Sequence, residues 1–262
     1  MNSVKYWKNK ALGGLELCRA DHAGFRYGRH VHLDYHLGLV ESGAQKFIHR
    51  GSSAPLVPGQ LSLLNPDEAH DGGCFDEAGF RVRVFSLSPE LVAGLAEELE
   101  APLPFFAQPL QHQPHLYQQA LSLHHRLEQP APPVIDAESS LLALLADCFA
   151  LQNARPLETP LLLRIRERML AGLDQPHPLN ALAAELGLSR FQFLRRFKAA
   201  LGMTPHAYLK RLRLEAAKKQ LAAGHGVLDT ALAVGFFDQA HFHRAFVLAY
   251  HITPARFRAQ MQ

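Results

Sequence analysis

The sequence predicts a multidomain chain of mixed α and β class. An N-terminal β-barrel with accompanying helices comes first, then an all-helical domain holding two helix-turn-helix units. Three observations carry this reading. Up to residue 87 short apolar runs are punctuated by Gly and Pro, beyond Pro89 the apolar spacing becomes helical, and one helical pattern occurs twice in the last hundred residues.

With 262 residues, 48% hydrophobic and 19% charged, the chain can bury two separate cores, and general disorder is excluded. The net charge of +3 hides an asymmetry. Residues 159–262 hold 15 Lys and Arg against 6 Asp and Glu, whereas residues 1–158 hold 12 against 18. A basic C-terminal half suits a polyanionic partner. The three cysteines, Cys18, Cys74 and Cys148, are odd in number and far apart, which argues against a disulfide framework and for a reducing, cytoplasmic setting. No apolar run approaches the roughly 18 residues of a membrane span, so a membrane partner is not expected.

The β elements rest on runs such as 37–40 (LGLV), 46–49 (KFIH), 60–64 (QLSLL) and 80–85 (FRVRVF), whose spacing suggests a sandwich or small barrel. Residues 89–100, 114–128 and 136–153 show helical spacing between Pro-rich breaks. The expected division is a barrel over 1–88, a helical linker over 89–158 and a helical domain over 159–262. In the linker Leu141, Leu142, Leu145, Phe149 and Leu151 form an apolar stripe, fit either for a second subunit or for the chain's own barrel.

The repeat lies in the basic half. Residues 183–189 (AAELGLS) recur as 231–238 (ALAVGFFD), with Gly187 and Gly235 ending one helix and Ser189 and Asp238 capping the next. This predicts helix-turn-helix units at about 179–200 and 228–249. In the second helices Phe193 and Phe197 match Phe242 and Phe246, each pair on one face. The opposite faces carry Arg190, Phe191, Leu194, Arg195 and Lys198, and Gln239, Ala240, His243 and Arg244, among them donors suited to base edges and phosphates. Lys210, Arg211 and Arg213 read as further basic surface. The runs 201–208 (LGMTPHAY) and 250–257 (YHITPARF) also match, Thr as N-cap and Pro at the first helical position.

The motifs G-L-S-x4-L-R-x-F-K, G-x-T-P-x-x-Y, R-L-x-x-A, G-F-x-D-Q-x-x-F-x-R-x-F and T-P-x-x-F over about 161–258 resemble the DNA-binding domain of AraC-type (AraC/XylS) transcription regulators. The resemblance implies double-stranded DNA as partner, base-reading positions at Arg190, Phe191, Arg195, Gln239, Ala240, His243 and Arg244, and activation through RNA polymerase. It also implies an effector-binding sensor domain and a homodimer through linker helices. No catalytic role is implied. Two positions depart from the pattern. Val247 stands where a basic residue usually follows the Phe, and His251 stands where Gly usually precedes Thr-Pro, at a position that is often left-handed.

The spacing of Gly24, His30, His32, His36 and Gly43 resembles the first cupin motif, with His36 where that motif has Glu, and Gly59 with His70 resembles the second. This implies a cupin-like barrel whose interior takes a small-molecule effector, with His30, His32, Asp34, His36 and His70 as candidate contacts, and Tyr35 and Asp71 near the mouth. The same imidazoles, His30, His32, His36 and His70, are candidate ligands for a divalent transition metal, with Cys74 a conceivable addition. On a straight strand His36 would lie roughly 13 Å beyond His32, so a shared ion requires a bend. A metal-responsive regulator, and a cupin metalloenzyme fused to a DNA-binding tail, stand as alternatives.

Overall fold

The computed structural model describes residues 2–9, 12–13, 15–24, 26–98, 101–129, 134–151 and 160–262; the side chains of residues 134–136, 160–162 and 191 fall outside this description. Two compact units result, one of residues 1–27 and 32–155, the other of residues 156–262 with the short stretch 28–31.

The strands of the N-terminal half are β1 (Ser3–Asn9), β2 (Leu15–His22), β3 (Arg26–His30, of which residues 28–30 are counted with the second unit), β4 (Tyr35–Gly43), β5 (Gln45–His49), β6 (Ser52–Leu56), β7 (Leu61–Leu64), β8 (His70–Cys74), β9 (Phe80–Leu87) and β10 (Leu110–Gln111). They form a six-stranded sheet, ordered β1-β2-β9-β4-β7-β10, and a four-stranded sheet, ordered β3-β8-β5-β6. The pleat sorts side chains by parity. Leu37 pairs with Phe85 and Leu63, and these face one side with Leu39, Leu61 and Leu87. Val40, Val82, Leu64 and Ala20 face the other, where they meet Phe47 and Leu56 of the small sheet. Gly43 has φ 74°, and a Cβ there would lie 2.1 Å from the Gly79 carbonyl oxygen, so only glycine lets β4 turn against the start of β9.

The outer apolar face of the large sheet is covered by α1 (Pro89–Glu98), α2 (Pro114–Leu127) and α3 (Val134–Phe149). The segment 89–158 read as helical thus also supplies a strand, β10, antiparallel to β7. Leu141, Leu145 and Phe149 are buried in this unit's own core with Leu144 and Cys148, and Leu151 packs against it. Of the two readings of the α3 stripe, packing within the chain accounts for these residues. Residues 152 and 153 of the expected helix fall outside the described residues.

A buried cation pins α2 to the sheet. Arg83 Nε donates to Glu41 at 2.7 Å, and Nη1 donates to Glu128 at 2.8 Å and to His124 Nδ1 at 3.1 Å. His124 Nε2 donates to the Val84 carbonyl at 3.3 Å, the tautomer that leaves Nδ1 to accept from Arg83. Burial first, and the Arg83 charge second, push His124 down to about 3. Burial works to raise Glu128, but its bonds to Arg83 and Lys5 and the charge of Arg19 outweigh this and hold it at about 2.

The second unit contains α4 (Pro160–Ala171), α5 (Leu179–Ala184), α6 (Arg190–Leu201), α7 (Pro205–Ala222), α8 (Val227–Ala233), α9 (Gln239–Tyr250) and α10 (Pro254–Met261). The sequence repeat is a repeat of packing. Phe193 and Phe197 have ring centroids 5.5 Å apart, as do Phe242 and Phe246. Tyr208 lies 5.6 Å from Phe197, and its counterpart Phe257 lies 5.6 Å from Phe246. Ser189, Asp238, Thr204 and Thr253 each accept a backbone N–H from the first turn of the helix they cap.

Between the copies runs α7, about 27 Å long at 1.5 Å per residue. Tyr208, Leu209, Leu212, Leu214, Ala217 and Leu221 are buried, and so are Arg211, Glu215 and Lys218. Arg211 was expected on basic surface; instead it pairs with Glu215 at 3.0 Å, whose carboxylate also accepts from Tyr250 Oη at 2.9 Å. Arg213, expected there too, donates to the carbonyls of Leu173 and Gly235 at 2.7 Å each. A helix touched on several sides encloses Arg211 and Lys218, whereas Lys219 stays exposed.

His251 occupies the left-handed region at φ 57° and ψ 22°, the conformation that Gly202 takes after the first copy at φ 70°. Burial, then the nearby Arg211 charge, lowers its pKa to about 4.

Three outcomes follow for stability. Arg83→Met should cost the first unit about 2 kcal/mol in urea unfolding, because it removes the buried guanidinium that holds the half-buried Glu41 and Glu128 and leaves His124 Nδ1 without its donor. His124 and Glu128 both have folded pKa values below their unfolded ones, so stability present near neutrality is lost as pH falls from 6.5 towards 3 and from 4.5 towards 2 respectively. The urea midpoint should therefore decline steadily below pH 6.5, and His124→Gln should flatten the upper part of that decline. His251→Gly should stabilise the second unit by about 1 kcal/mol, since glycine takes the left-handed conformation without steric penalty; a lower melting temperature would contradict this.

Candidate DNA interface and effector site

In the second unit α6 and α9 are positioned by their phenylalanine pairs, which turn one face of each helix into the core and the other to solvent. Arg190, Arg195 and Lys198 are exposed on α6; Gln239, Ala240, His243 and Arg244 are exposed on α9. The side chain of Phe191 falls outside the described residues. Leu194 is half-buried, and Arg196, not singled out from the sequence, is exposed beside Arg195. The capping geometry matters to function. Ser189 and Gln192 form a reciprocal capping box, and Asp238 holds the His241 N–H at 2.6 Å, so the first turn of each helix, where these side chains begin, is fixed. Fixed donors on an exposed first turn are suited to a major groove. Glycine makes the turn before α9 possible: Gly235 has φ 85°, and a Cβ would lie 2.7 Å from the Leu173 carbonyl oxygen.

In the first unit the inner faces of the two sheets gather histidines at one end. His36 pairs across β4 and β9 with Ser86, whose hydroxyl lies 3.0 Å from His36 Nε2. His70 pairs across β8 and β5 with His49, and both are buried. β3 ends at His30 and β4 begins at Tyr35, which supplies the bend a shared site needs. His32, in that bend, stacks on His36 with centroids 3.7 Å apart and lies 5.1 Å from His70.

Of the four candidate metal ligands, His30, His32 and His70 have ring nitrogens within 4.8 Å of one another. Nδ1 of His30 and of His70 donate to the carbonyls of Gly28 and Glu68, which makes Nε2 the accepting nitrogen in each neutral ring. A zinc-like ion with bonds of about 2.1 Å holds its nitrogens no more than about 4.2 Å apart, so small ring shifts would complete such a set. His36 does not join it. Two stacked rings present faces to each other, not lone pairs to a common point. Cys74 lies elsewhere, its thiol 3.7 Å from the His22 carbonyl.

Period-two alternation removes two other expected contacts. Asp71 has the opposite parity to His70, and Tyr35 packs in the layer against the helices, its hydroxyl donating to the Pro104 carbonyl at 3.2 Å. Asp34 is half-buried in the bend. Residues not anticipated are His49, Glu68 and Ser86. Burial works to raise Glu68, but the hydrogen bond and charge of His49, with help from Arg50 and Asn65, hold it low. Strand pairing across sequence gaps of 21 and 50 residues brings in His49 and Ser86, and no local motif signals them. A small cleft lies between the large sheet and α1 and α3, lined by His36 and by apolar side chains such as Leu63, Val92, Phe106 and Leu145.

Among the described residues no helix is long and apolar enough to cross a membrane. Comparison with known proteins agrees with the two-part reading. Residues 12–151 match the AraC-like ligand binding domain, and residues 182–260 match a helix-turn-helix domain. The chain is similar to the transcriptional regulator YbfI of Bacillus subtilis, 25% identical over 82% of this chain and 81% of that protein. It is also similar to the transcriptional activator RhaS of Pectobacterium carotovorum, 26% identical over 89% and 88%. Apo ToxT K231A from Vibrio cholerae shares the fold, with a TM-score of 0.66 at 13% identity over 95% of this chain and 98% of that one. ToxT has also been solved with an unsaturated fatty acid bound. The ligand-binding domain alone takes in more than half of the sequence and is followed by duplicated helix-turn-helix packing, and the chain belongs to the AraC family of transcription regulators.

Proposed function

We propose that the protein is an effector-responsive activator whose α6 and α9 read two segments of one DNA site. The observation that carries this is the pairing of identical core geometry, 5.5 Å between phenylalanine rings in both copies, with exposed polar rows on the opposite faces. Arg190, Arg195, Gln239, His243 and Arg244 select bases, Ala240 lets α9 approach closely, and Lys198 meets phosphate. Activation works through contact with RNA polymerase, and the protein acts as a homodimer; Leu141, Leu145 and Phe149 of the α3 stripe are taken up by its own core, while Leu142 is half-buried. Regulation is favoured over metalloenzyme chemistry because the relatives that run along most of the chain are regulators.

The effector sits at the histidine end of the barrel interior, where His32, His36, His70, His49 and Ser86 offer polar contacts within otherwise apolar walls. His30 and Asp34 flank it. Imidazole carrying a second proton, so that Nε2 also donates, and the Ser86 hydroxyl suit a small organic acid, and the bound fatty acid of ToxT is an acid held on the same fold. To act, it must bind one conformation of the protein better than another. A second reading, a divalent metal as the signal, is favoured by the approach of His30, His32 and His70.

Arg195→Ala and Arg244→Ala should each relax base preference within one segment of the site, by about 1 to 3 kcal/mol for the preferred base; an equal loss on every duplex would assign both to phosphate. A melting-temperature screen of the full chain against organic acids, sugars, amino acids and divalent metals should return an acid whose shift disappears in His70→Ala. A shift with zinc or nickel alone, abolished by His32→Ala and accompanied by stoichiometric metal, would replace the organic effector with an ion.

A further inference from the structure

The turns of the two helix-turn-helix units differ by one residue. In the first, Gly187 is followed by Leu188 and the cap Ser189; in the second, Gly235 is followed by Phe236, Phe237 and the cap Asp238. The extra position holds Phe237, which is 90% exposed, more than any other large apolar side chain among the described residues. An aromatic residue just before a helix cap ordinarily folds back as a staple on the first turns. Here that role is filled. Phe236 is buried, with its ring 5.2 Å from Phe242 and 5.3 Å from His241. Phe237 is left pointing away from the core, at the end of α9 where Gln239, Ala240 and His243 also face solvent.

We infer that Phe237 is a specificity-determining residue of the second unit, making apolar contact with the C5-methyl of a thymine in the major groove beside the bases read by α9. The inference rests on α9 being a base-reading helix. Its chemistry is distinct from that of Gln239, His243 and Arg244, because a phenyl ring has no donor or acceptor and distinguishes bases only by the thymine methyl. Contact with DNA would also remove from water an aromatic surface that the protein itself leaves uncovered. The first unit has no counterpart, so the thymine preference belongs to one segment of the site.

The test is selection of binding sites from random duplexes by the full-length wild type, Phe237→Ala, Phe237→Leu and Arg244→Ala. Titrations then follow with the selected duplex and with versions carrying deoxyuridine in place of individual thymines. One thymine in the α9 segment should be selected by the wild type and by Phe237→Leu but not by Phe237→Ala. Removing its methyl should weaken wild-type binding about fourfold, the worth of burying one methyl-sized group, and leave Phe237→Ala unaffected. All three proteins should share one melting temperature, since the side chain is exposed. Unchanged selection in Phe237→Ala, or a loss in that variant equal on all duplexes with deoxyuridine costing both proteins alike, would overturn the proposal. If Arg244→Ala alters selection while Phe237→Ala does not, only the role of Phe237 falls; if Arg244→Ala also leaves selection unchanged, the assignment of α9 falls with it.

Discussion

The C-terminal unit depends on α7 being enclosed. Each helix-turn-helix copy packs two phenylalanines from its second helix against one aromatic from the helix that follows. Tyr208 is the aromatic contributed to the first copy by α7, and Glu215, just beyond the middle of α7, takes the Tyr250 hydroxyl from the end of α9. One helix therefore serves as wall to both copies. Two recognition helices attached to a shared rigid element have a fixed separation, which two modules on a flexible tether would lack.

Enclosure has an electrostatic consequence. Arg211, Glu215 and Lys218 are buried together, with Arg211 4.9 Å and Lys218 5.4 Å from the Tyr250 ring, so cations and carboxylate are satisfied by one another and by aromatic faces. The N-terminal unit meets the same problem in the same way at Arg83, whose guanidinium is taken up by Glu41, Glu128 and a neutral His124. In both places a buried cation joins a helix to a second element with a directionality that apolar packing lacks. Such groups cost much to desolvate and more to leave unpaired, and therefore favour one register over its neighbours.

The barrel uses period-two alternation to keep two cores apart. Odd positions of β4 feed the layer beneath the helices, and even positions feed the interior shared with the small sheet. The parity that sends Leu37 and Leu39 to the helices sends His36 inward to Ser86, and the parity that brings His70 inward turns Asp71 out. The polar end of the interior is thus a by-product of register, and a one-residue slip would exchange it for leucine.

Local chemistry was legible in the sequence: the glycine turns, the Ser, Asp and Thr caps, the i, i+4 phenylalanine pairs and the left-handed demand on His251. Each depends on a few neighbouring residues whose backbone preferences act at short range. The division into a β-rich part and a duplicated helical part followed from the same signals. Which charges are buried was not legible. Arg211 and Lys198 look alike in sequence, yet one is enclosed and the other exposed, because solvent access to a helix face is set by elements tens of residues away. The histidine end was half legible. The spacing of His30, His32, His36 and His70 pointed to it, but His49 and Ser86 arrive by strand pairing, Glu68 comes from the turn before β8, and the stacking of His36 on His32 is a matter of ring orientation. The sequence by itself determined which elements form and where they stop, since those choices are local; the tertiary structure alone decided which side chains meet, since that is set by long-range packing and register.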